Sequence, residues 1–243
     1  MKLHVFDLDD TLLCGDSEGA WINFLSTKGF FVNDDHASIM EQFEVDYRSG
    51  DFDSERYCLY ILQSMQGLHE EELSKLSDEF IEEYFDQLVD QVTFNLLDRI
   101  EKEDLSIIAT GAMDFLGNKF SSKFGIQDCI ATKTEIINNK ISGRLDGSPN
   151  FGSDKKANVE EWCKRKNISK EEIIFYTDSI NDFPLVKLSP QNVIVCPDDK
   201  LEKTPPLEAG LDPLRPYKYG PPSPAVPVTF IDPSERPKQL MLF

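Results

Sequence analysis

A chain of 243 residues is long enough for one full core and a modest insert, and its formal charge of −19 opposes nucleic acid and anionic membranes as partners. No apolar run approaches the roughly 18 residues that cross a bilayer; the five cysteines, odd in number and scattered, suggest neither disulfides nor a zinc site, and the three histidines share no motif. Met1 leads straight into a strand-like segment, so a cytoplasmic protein is expected, in which any anionic substrate needs a metal or lysines to reverse the local field.

Residues 2–6, KLHVF, read as a short buried strand with the polar DLDDT at its carboxyl end. From residue 16 to about residue 99 only helical periods are found. The clearest sets Leu73, Leu76, Phe80, Tyr84 and Leu88 on one face, with Glu70, Glu71 and Glu72 where a helix amino end favours negative charge. Residues 105–110, LSIIAT, form an apolar strand; a helix ending near Gly125 and a strand at 129–132 follow. A hairpin over 134–145 turns at Asn138 and Asn139, and a helix over 154–166 has Ser153 as its expected N-cap. EIIFYT (172–177) and NVIVC (192–196) are two more buried strands. Such alternation predicts an α/β fold, a Rossmann-like parallel sheet with helices on both faces. Ten of the fourteen prolines fall after residue 204, so residues 205–243 read as an extended tail, with docking of the apolar 240–243 end as a lesser possibility.

Asp7, Asp9 and Asp10 follow a buried strand, where like charges repel unless a cation holds them; a magnesium ion is the economical solution. Alternate residues of an extended segment share a face, so Asp7 and Asp9 reach one centre while Leu8 points inward. An acidic turn in an acidic protein is the ordinary alternative. A second cluster, TDSIND (177–182), also follows an apolar strand, and loops at the carboxyl ends of neighbouring parallel strands converge. Asp178 and Asp182 thereby join Asp7 and Asp9 as candidate metal ligands. Thr110 and Gly111, after LSIIAT, are candidates for holding phosphate oxygens. Lys155 and Lys156 sit in the first turn of their helix, where the macrodipole disfavours cations; a bound phosphate would explain the placement, and removal of either would leave stability unchanged or slightly raised.

The ordered set DLDDT, a small hydroxyl residue after an apolar strand, a lysine and DSIND resembles the haloacid dehalogenase-like hydrolase superfamily. FDLDDTLLCGDSEGAW, IIATGAMDF, FGSDKKANVEEW and FYTDSINDFPL are similar to its phosphoserine phosphatase-like subfamily, which includes histidinol-phosphate phosphatases; the likeness covers about residues 1–200. It implies a magnesium-dependent phosphomonoesterase acting on a small phosphorylated metabolite. Asp7 is then the nucleophile that becomes aspartyl-phosphate, and Asp9 the acid and base. Thr110 and a lysine, Lys155 rather than Lys156, bind the phosphoryl group. Asp178 binds the metal beside Asp7 and the Asp9 carbonyl, with Asp182 supporting it. The resemblance divides the chain into a core of 1–14 and 100–204, a small all-helical cap of 15–99 and the tail. Asp16, Glu18 and Arg48 are weak candidates on the cap side. Phosphoserine is disfavoured, since Leu59, Tyr60, Ile61 and Leu62 stand where the subfamily usually carries an arginine for the substrate carboxylate. Asp9 separates the chain from dehalogenases, which need no proton donor there. A phosphotransferase with the same intermediate, or a binding module that kept the fold without turnover, are the competing readings.

Overall fold

In the computed structural model, residues 1–31, 35–49, 51–196 and 228–231 are described, with only the backbone of residues 48, 49 and 228–231. The first strand, β1 (Leu3–Phe6), leads into a tight turn over residues 8–12 and then α1 (Ser17–Thr27), α2 (His36–Ser49), α3 (Ser54–Ser64), α4 (Glu70–Leu88) and α5 (Gln91–Leu97). Next come β2 (Leu105–Met113), α6 (Asp114–Phe124), β3 (Asp128–Thr132), the hairpin strands β4 (Thr134–Ile137) and β5 (Lys140–Leu145), and α7 (Gly152–Lys166). β6 (Ile173–Thr177), the short α8 (Phe183–Val186), β7 (Gln191–Val195) and β8 (Val228–Ile231) complete the described elements.

Six strands form one parallel sheet in the order β3-β2-β1-β6-β7-β8. β1 lies inside it, with Phe6 opposite Ile108 on one side and Tyr176 on the other. Because strand residues alternate between faces, Leu3 and Val5 join Val159, Trp162 and Leu185 in a core under α7 and α8. Phe6 turns the other way, into a larger core with α1, α3, α4 and α6. Helices thus cover both faces, as expected. His4 is buried and satisfied, its Nδ1 2.8 Å from the Tyr176 hydroxyl.

Local chemistry explains several element ends. Side-chain oxygens of Asp16, Asp53 and Asp90 accept from the backbone N–H of Glu18, Arg56 and Thr93 and cap α1, α3 and α5. Gly125 and Asn167 end α6 and α7 in left-handed conformation, with φ of 71° and 55°. Asn138 and Asn139 adopt φ of 53° and 61°, the geometry of a two-residue hairpin turn.

Three expectations change. The helix predicted from residue 154 starts at Gly152, so Phe151 holds the N-cap position and Ser153 lies within the first turn. The β4–β5 hairpin hydrogen-bonds to the helical segment, through Gly67 N–H to Ile141 O, Ile141 N–H to Leu68 O and Glu70 N–H to Asn139 O. That segment therefore draws on residues beyond its own stretch. The proline-rich region is also not wholly outside the fold, because the backbone of 228–231 adds a strand beside β7, with Asn192 opposite Val228. A segment with no side-chain period can still join a sheet, since the ladder is made by the backbone. The 240–243 end lies outside the described residues.

The aromatic centre joins α1, α4 and α6. Phe80 is fully buried, with its ring 5.4 Å from Trp21, 5.7 Å from Phe24, 5.0 Å from Tyr84 and 6.4 Å from Phe120. Phe80→Ala should lower unfolding free energy by about 3–5 kcal/mol in a urea titration, because the cavity left behind adds to the lost transfer energy. A loss under about 1 kcal/mol would show that this cluster does not tie the helical segment to the sheet.

Candidate active site

Since β1 runs between β2 and β6, the segments leaving these three strands meet at their carboxyl ends. Asp7 is the first residue past β1, and its N–H extends the ladder to Tyr176 O at 2.9 Å. Leu8 is fully buried, and Asp9 keeps extended dihedrals (φ −67°, ψ 138°), so the predicted alternation of Asp7 and Asp9 toward one centre is observed. Asp10 then turns into left-handed conformation at φ 52°. From β6 come Asp178 and Asp182, and from β2 comes Gly111.

Lys155 ties this cluster together. The residue is 3 % exposed, and its ammonium lies 3.0 Å from Asp7 Oδ1 and 2.6 Å from Asp182 Oδ1. The Thr177 hydroxyl donates to Asp182 Oδ2 at 2.8 Å, so both oxygens of Asp182 are engaged. Burial alone would lower the Lys155 pKa, but Asp182 and Asp7 outweigh it and hold the ammonium above the ordinary lysine value. Lys156 sits near the surface, 3.8 Å from Glu160. The helix-dipole argument about stability therefore fails for Lys155: its removal strands two buried carboxylates, a larger effect than the dipole.

The carboxylates outnumber this one cation. Burial pushes Asp7 up to about 7 against the pull of Lys155. Burial, then Asp10, Asp7 and Asp182, hold Asp178 well above the usual range, while the Thr11 hydroxyl donates to its Oδ1 at 3.1 Å. Asp9 is raised by burial and then by Asp16, and its Oδ1 accepts from Ser17 N–H at 2.7 Å. A hard divalent ion fits such a set of buried oxygen donors. Among the described residues no three His, Cys, Asp or Glu side chains form a ready metal cluster. Magnesium does not require one, as it is commonly held by one or two carboxylates and keeps several waters. Of the four predicted ligands, Asp7 and Asp178 suit this role by side chain, whereas Asp182 is occupied with Lys155 and Thr177, and Asp9 Oδ1 with α1.

A cavity of about 190 Å³ lies over these groups, lined by Asp7, Asp9, Asp10, Gly111, Lys155, Asp178 and Asp182. Thr110 is not among its lining residues: β2 continues to Met113, and the fully buried Thr110 hydroxyl accepts from Ala112 N–H at 3.0 Å. Gly111 and Ala112 form that wall instead. A Cβ on Gly111 would lie 2.4 Å from the Phe151 ring, so glycine allows this close approach. Asp16 and Glu18 also line the cavity; the side chain of Arg48 lies outside the described residues.

Several residues were not found from sequence. Asn150, 1 % exposed, donates to Thr110 O at 2.8 Å and Ile130 O at 3.0 Å and accepts from Asn158 at 2.9 Å, locking α7 to β2 and β3. No motif marks it. Ser179, Asn181 and Phe151 line the cavity from the core side. Met40, Phe43, Glu44 and Tyr47 line it from α2 and Phe52 and Tyr57 from the next segment. The α2 positions do recur at helical spacing, but a period alone does not tell whether a stripe faces a core or a cavity.

Comparison with known proteins agrees with this fold. The family described as haloacid dehalogenase-like hydrolase matches residues 4–187. A histidinol-phosphatase of Neisseria meningitidis serogroup C (strain 8013) is 28% identical over 207 residues, 83% of this chain and 93% of that protein. Phosphoserine phosphatase SerB1 of Mycobacterium tuberculosis (strain ATCC 25618 / H37Rv) is 22% identical over 200 residues, 81% of this chain and 65% of its own length. Among solved structures, a protein of unknown function from Bordetella pertussis Tohama I superposes with a TM-score of 0.73 at 25% identity, covering 83% of this chain and 92% of that one. A substrate-bound phosphoserine phosphatase shares the fold at a TM-score of 0.59 and 16% identity, over 83% of this chain and 89% of that chain. With Asp7, Lys155 and Asp178 gathered around one cavity at the carboxyl end of the sheet, the chain belongs to the haloacid dehalogenase-like hydrolase family.

Proposed function

We propose that the chain is a magnesium-dependent phosphoric monoester hydrolase, which moves a phosphoryl group from a small metabolite to the Asp7 carboxylate and then to water. The observation that carries this reading is the buried Lys155 held between Asp7 and Asp182 beneath a cavity that also receives Asp9 and Asp178. A nucleophile, a proton carrier and a fixed positive charge thereby face one volume.

Asp7 attacks phosphorus, and the departing ester oxygen takes the proton held by Asp9. Asp9 then removes a proton from the water that attacks the aspartyl-phosphate, releasing phosphate and restoring Asp7. Lys155 offsets charge on the transferring oxygens, and Asp182 with Thr177 fixes its position. Asp7, Asp178 and the Asp9 backbone carbonyl would hold magnesium, whose charge lets a phosphate dianion approach this acidic site.

The helical insert, residues 15–99, serves as the cap over the core of residues 1–14 and 100–204. Tyr47 meets Ser179 at 3.4 Å between hydroxyls and the Phe52 ring lies 6.1 Å from Phe151, which supports closure against water. No arginine lies at 59–62 to read a phosphoserine carboxylate, so phosphoserine remains disfavoured. Histidinol phosphate, named by the Neisseria relative, belongs first in a substrate panel.

Turnover of a chromogenic aryl phosphate should require magnesium and stop with chelator; equal rates in both would remove the metal from the scheme. Asp7→Asn should abolish turnover and phosphoenzyme formation. Asp9→Asn should be severely slowed, yet accumulate phosphoenzyme from an activated ester, whose leaving group needs little protonation. Mass spectrometry after acid quench separates the two roles, and phosphate found on Asp7→Asn would place the nucleophile elsewhere.

Lys155→Ala should reduce kcat/KM about 10²-fold or more and destabilise the fold by about 3–5 kcal/mol, as expected for an uncompensated buried charge. Lys156→Ala should leave both quantities nearly unchanged. Steady-state rates and thermal melts at fixed magnesium test the pair; a crippled Lys156→Ala with an intact Lys155→Ala would overturn the assignment.

A further inference from the structure

Where β2 forms the cavity wall, it leaves its regular ladder. The register with β3 shifts between Ala109, opposite Ile130, and Met113, opposite Thr132, so Thr110, Gly111 and Ala112 lie in the irregular stretch. Side chains hold the carbonyls there. Asn150 Nδ2 donates to Thr110 O at 2.8 Å, and the Thr132 hydroxyl donates to Gly111 O at 2.6 Å. The same Thr132 oxygen accepts from Asn150 N–H at 2.9 Å, so one hydroxyl joins the wall to the residue that precedes Phe151. Thr132 and Asn150 are both buried, and neither lines the cavity. The Asn150 amide has one fixed orientation, because it also donates to Ile130 O at 3.0 Å and accepts from Asn158 at 2.9 Å; reversed, its oxygen would face two carbonyls. From this point the chain enters α7. Phe151 O accepts from Asp154 N–H at 2.9 Å and Lys155 N–H at 3.3 Å, and the Phe151 ring lies close against Gly111.

Resting on the phosphomonoesterase reading above, we infer that Thr132 and Asn150 are positioning residues for phosphoryl transfer, acting through Lys155 by fixing the first turn of α7 against the Gly111 wall. The reason lies in charge. Lys155 is also held by Asp7 and Asp182, but Asp7 is the group that takes the phosphoryl, so its charge and its partners change in every turnover. An ion pair that the reaction itself rebuilds is a poor frame for that reaction. The bonds among Thr132, Asn150 and Asn158 join neutral groups to one another and to backbone, and their strength depends little on charge moving through the cavity. They keep the ammonium at one height over the strand ends while its partners alternate, which is the condition under which a fixed charge assists transfer.

The test uses the full chain with magnesium, an aryl phosphate and a matched pair of variants at one position. Thr132→Val nearly keeps the shape and removes both bonds of the hydroxyl, whereas Thr132→Ser keeps the hydroxyl. Thr132→Val should lower kcat and kcat/KM together by about tenfold or more, as a misplaced transition-state contact does. Thr132→Ser should stay within about twofold of wild type. In a Lys155→Ala background Thr132→Val should cost under about twofold, since a residue that acts through Lys155 then has nothing left to place. Phe80→Ala, weakened at a site outside the cavity, should keep its kcat and so separates positioning from loss of stability. An unchanged kcat in Thr132→Val, equal losses in the two backgrounds, or an equal loss in Phe80→Ala overturns the inference. If Thr132→Val does not fold, Asn158→Ala decides: Asn158 is exposed, its bond to Asn150 Oδ1 is removed, and kcat should fall by about threefold or more. An undiminished kcat there overturns the inference as well. If wild type hydrolyses the ester and these losses are absent, only the positioning roles fail. If wild type does not hydrolyse it, the phosphomonoesterase reading fails and takes the inference with it.

Discussion

A buried ammonium between two buried carboxylates is the constraint on which the site depends. Lys155 is carried by α7, Asp7 follows β1 and Asp182 follows β6, so one side chain binds three separate parts of the fold at 3.0 and 2.6 Å. None of these charges is stable alone in such surroundings, and each is retained because the other two are present. Fixed charge of this kind needs no rearrangement as a phosphoryl group passes, which is the sense in which preorganisation assists transfer.

The scaffold explains why the arrangement can be held. β1 sits between β2 and β6 and alternates its side chains into the two cores, leaving little freedom to slide. Asn150 joins β2 and β3 to the helix bearing Lys155 through buried hydrogen bonds. On the opposite sheet face the aromatic contacts of Trp21, Phe80 and Phe120 bind the inserted helices to the core, so the cavity wall is anchored on the same body as the carboxylates.

Charge is distributed unevenly around that cavity. The Lys155 end combines several carboxylates with one ammonium, whereas the Glu18 end has acid and aromatic groups with no cation among the described lining residues. One small volume therefore has two ends of different charge character. For a chain of net charge −19, that local difference matters more than the overall field, because low-dielectric walls preserve it.

The sequence by itself determined the strands, the alternation of β and α, the helical insert and the acidic residues at two strand ends. These are properties of local order: an apolar run of β-branched residues followed by DLDDT or TDSIND has the same meaning wherever the chain later goes. Asp7, Asp9, Gly111, Lys155, Asp178 and Asp182 were accordingly legible, and all line one cavity. Only the tertiary structure decided that Thr110 is enclosed by a strand running on to Met113, that Asp182 is spent on Lys155 and Thr177, and that residues 228–231 close the sheet edge. It also decided that Asn150 is a clamp and that Glu18 faces a cavity and not solvent. Most of these depend on which residues, tens of positions apart, come to lie alongside, and such contacts leave no period or spacing in the chain that a local reading can detect.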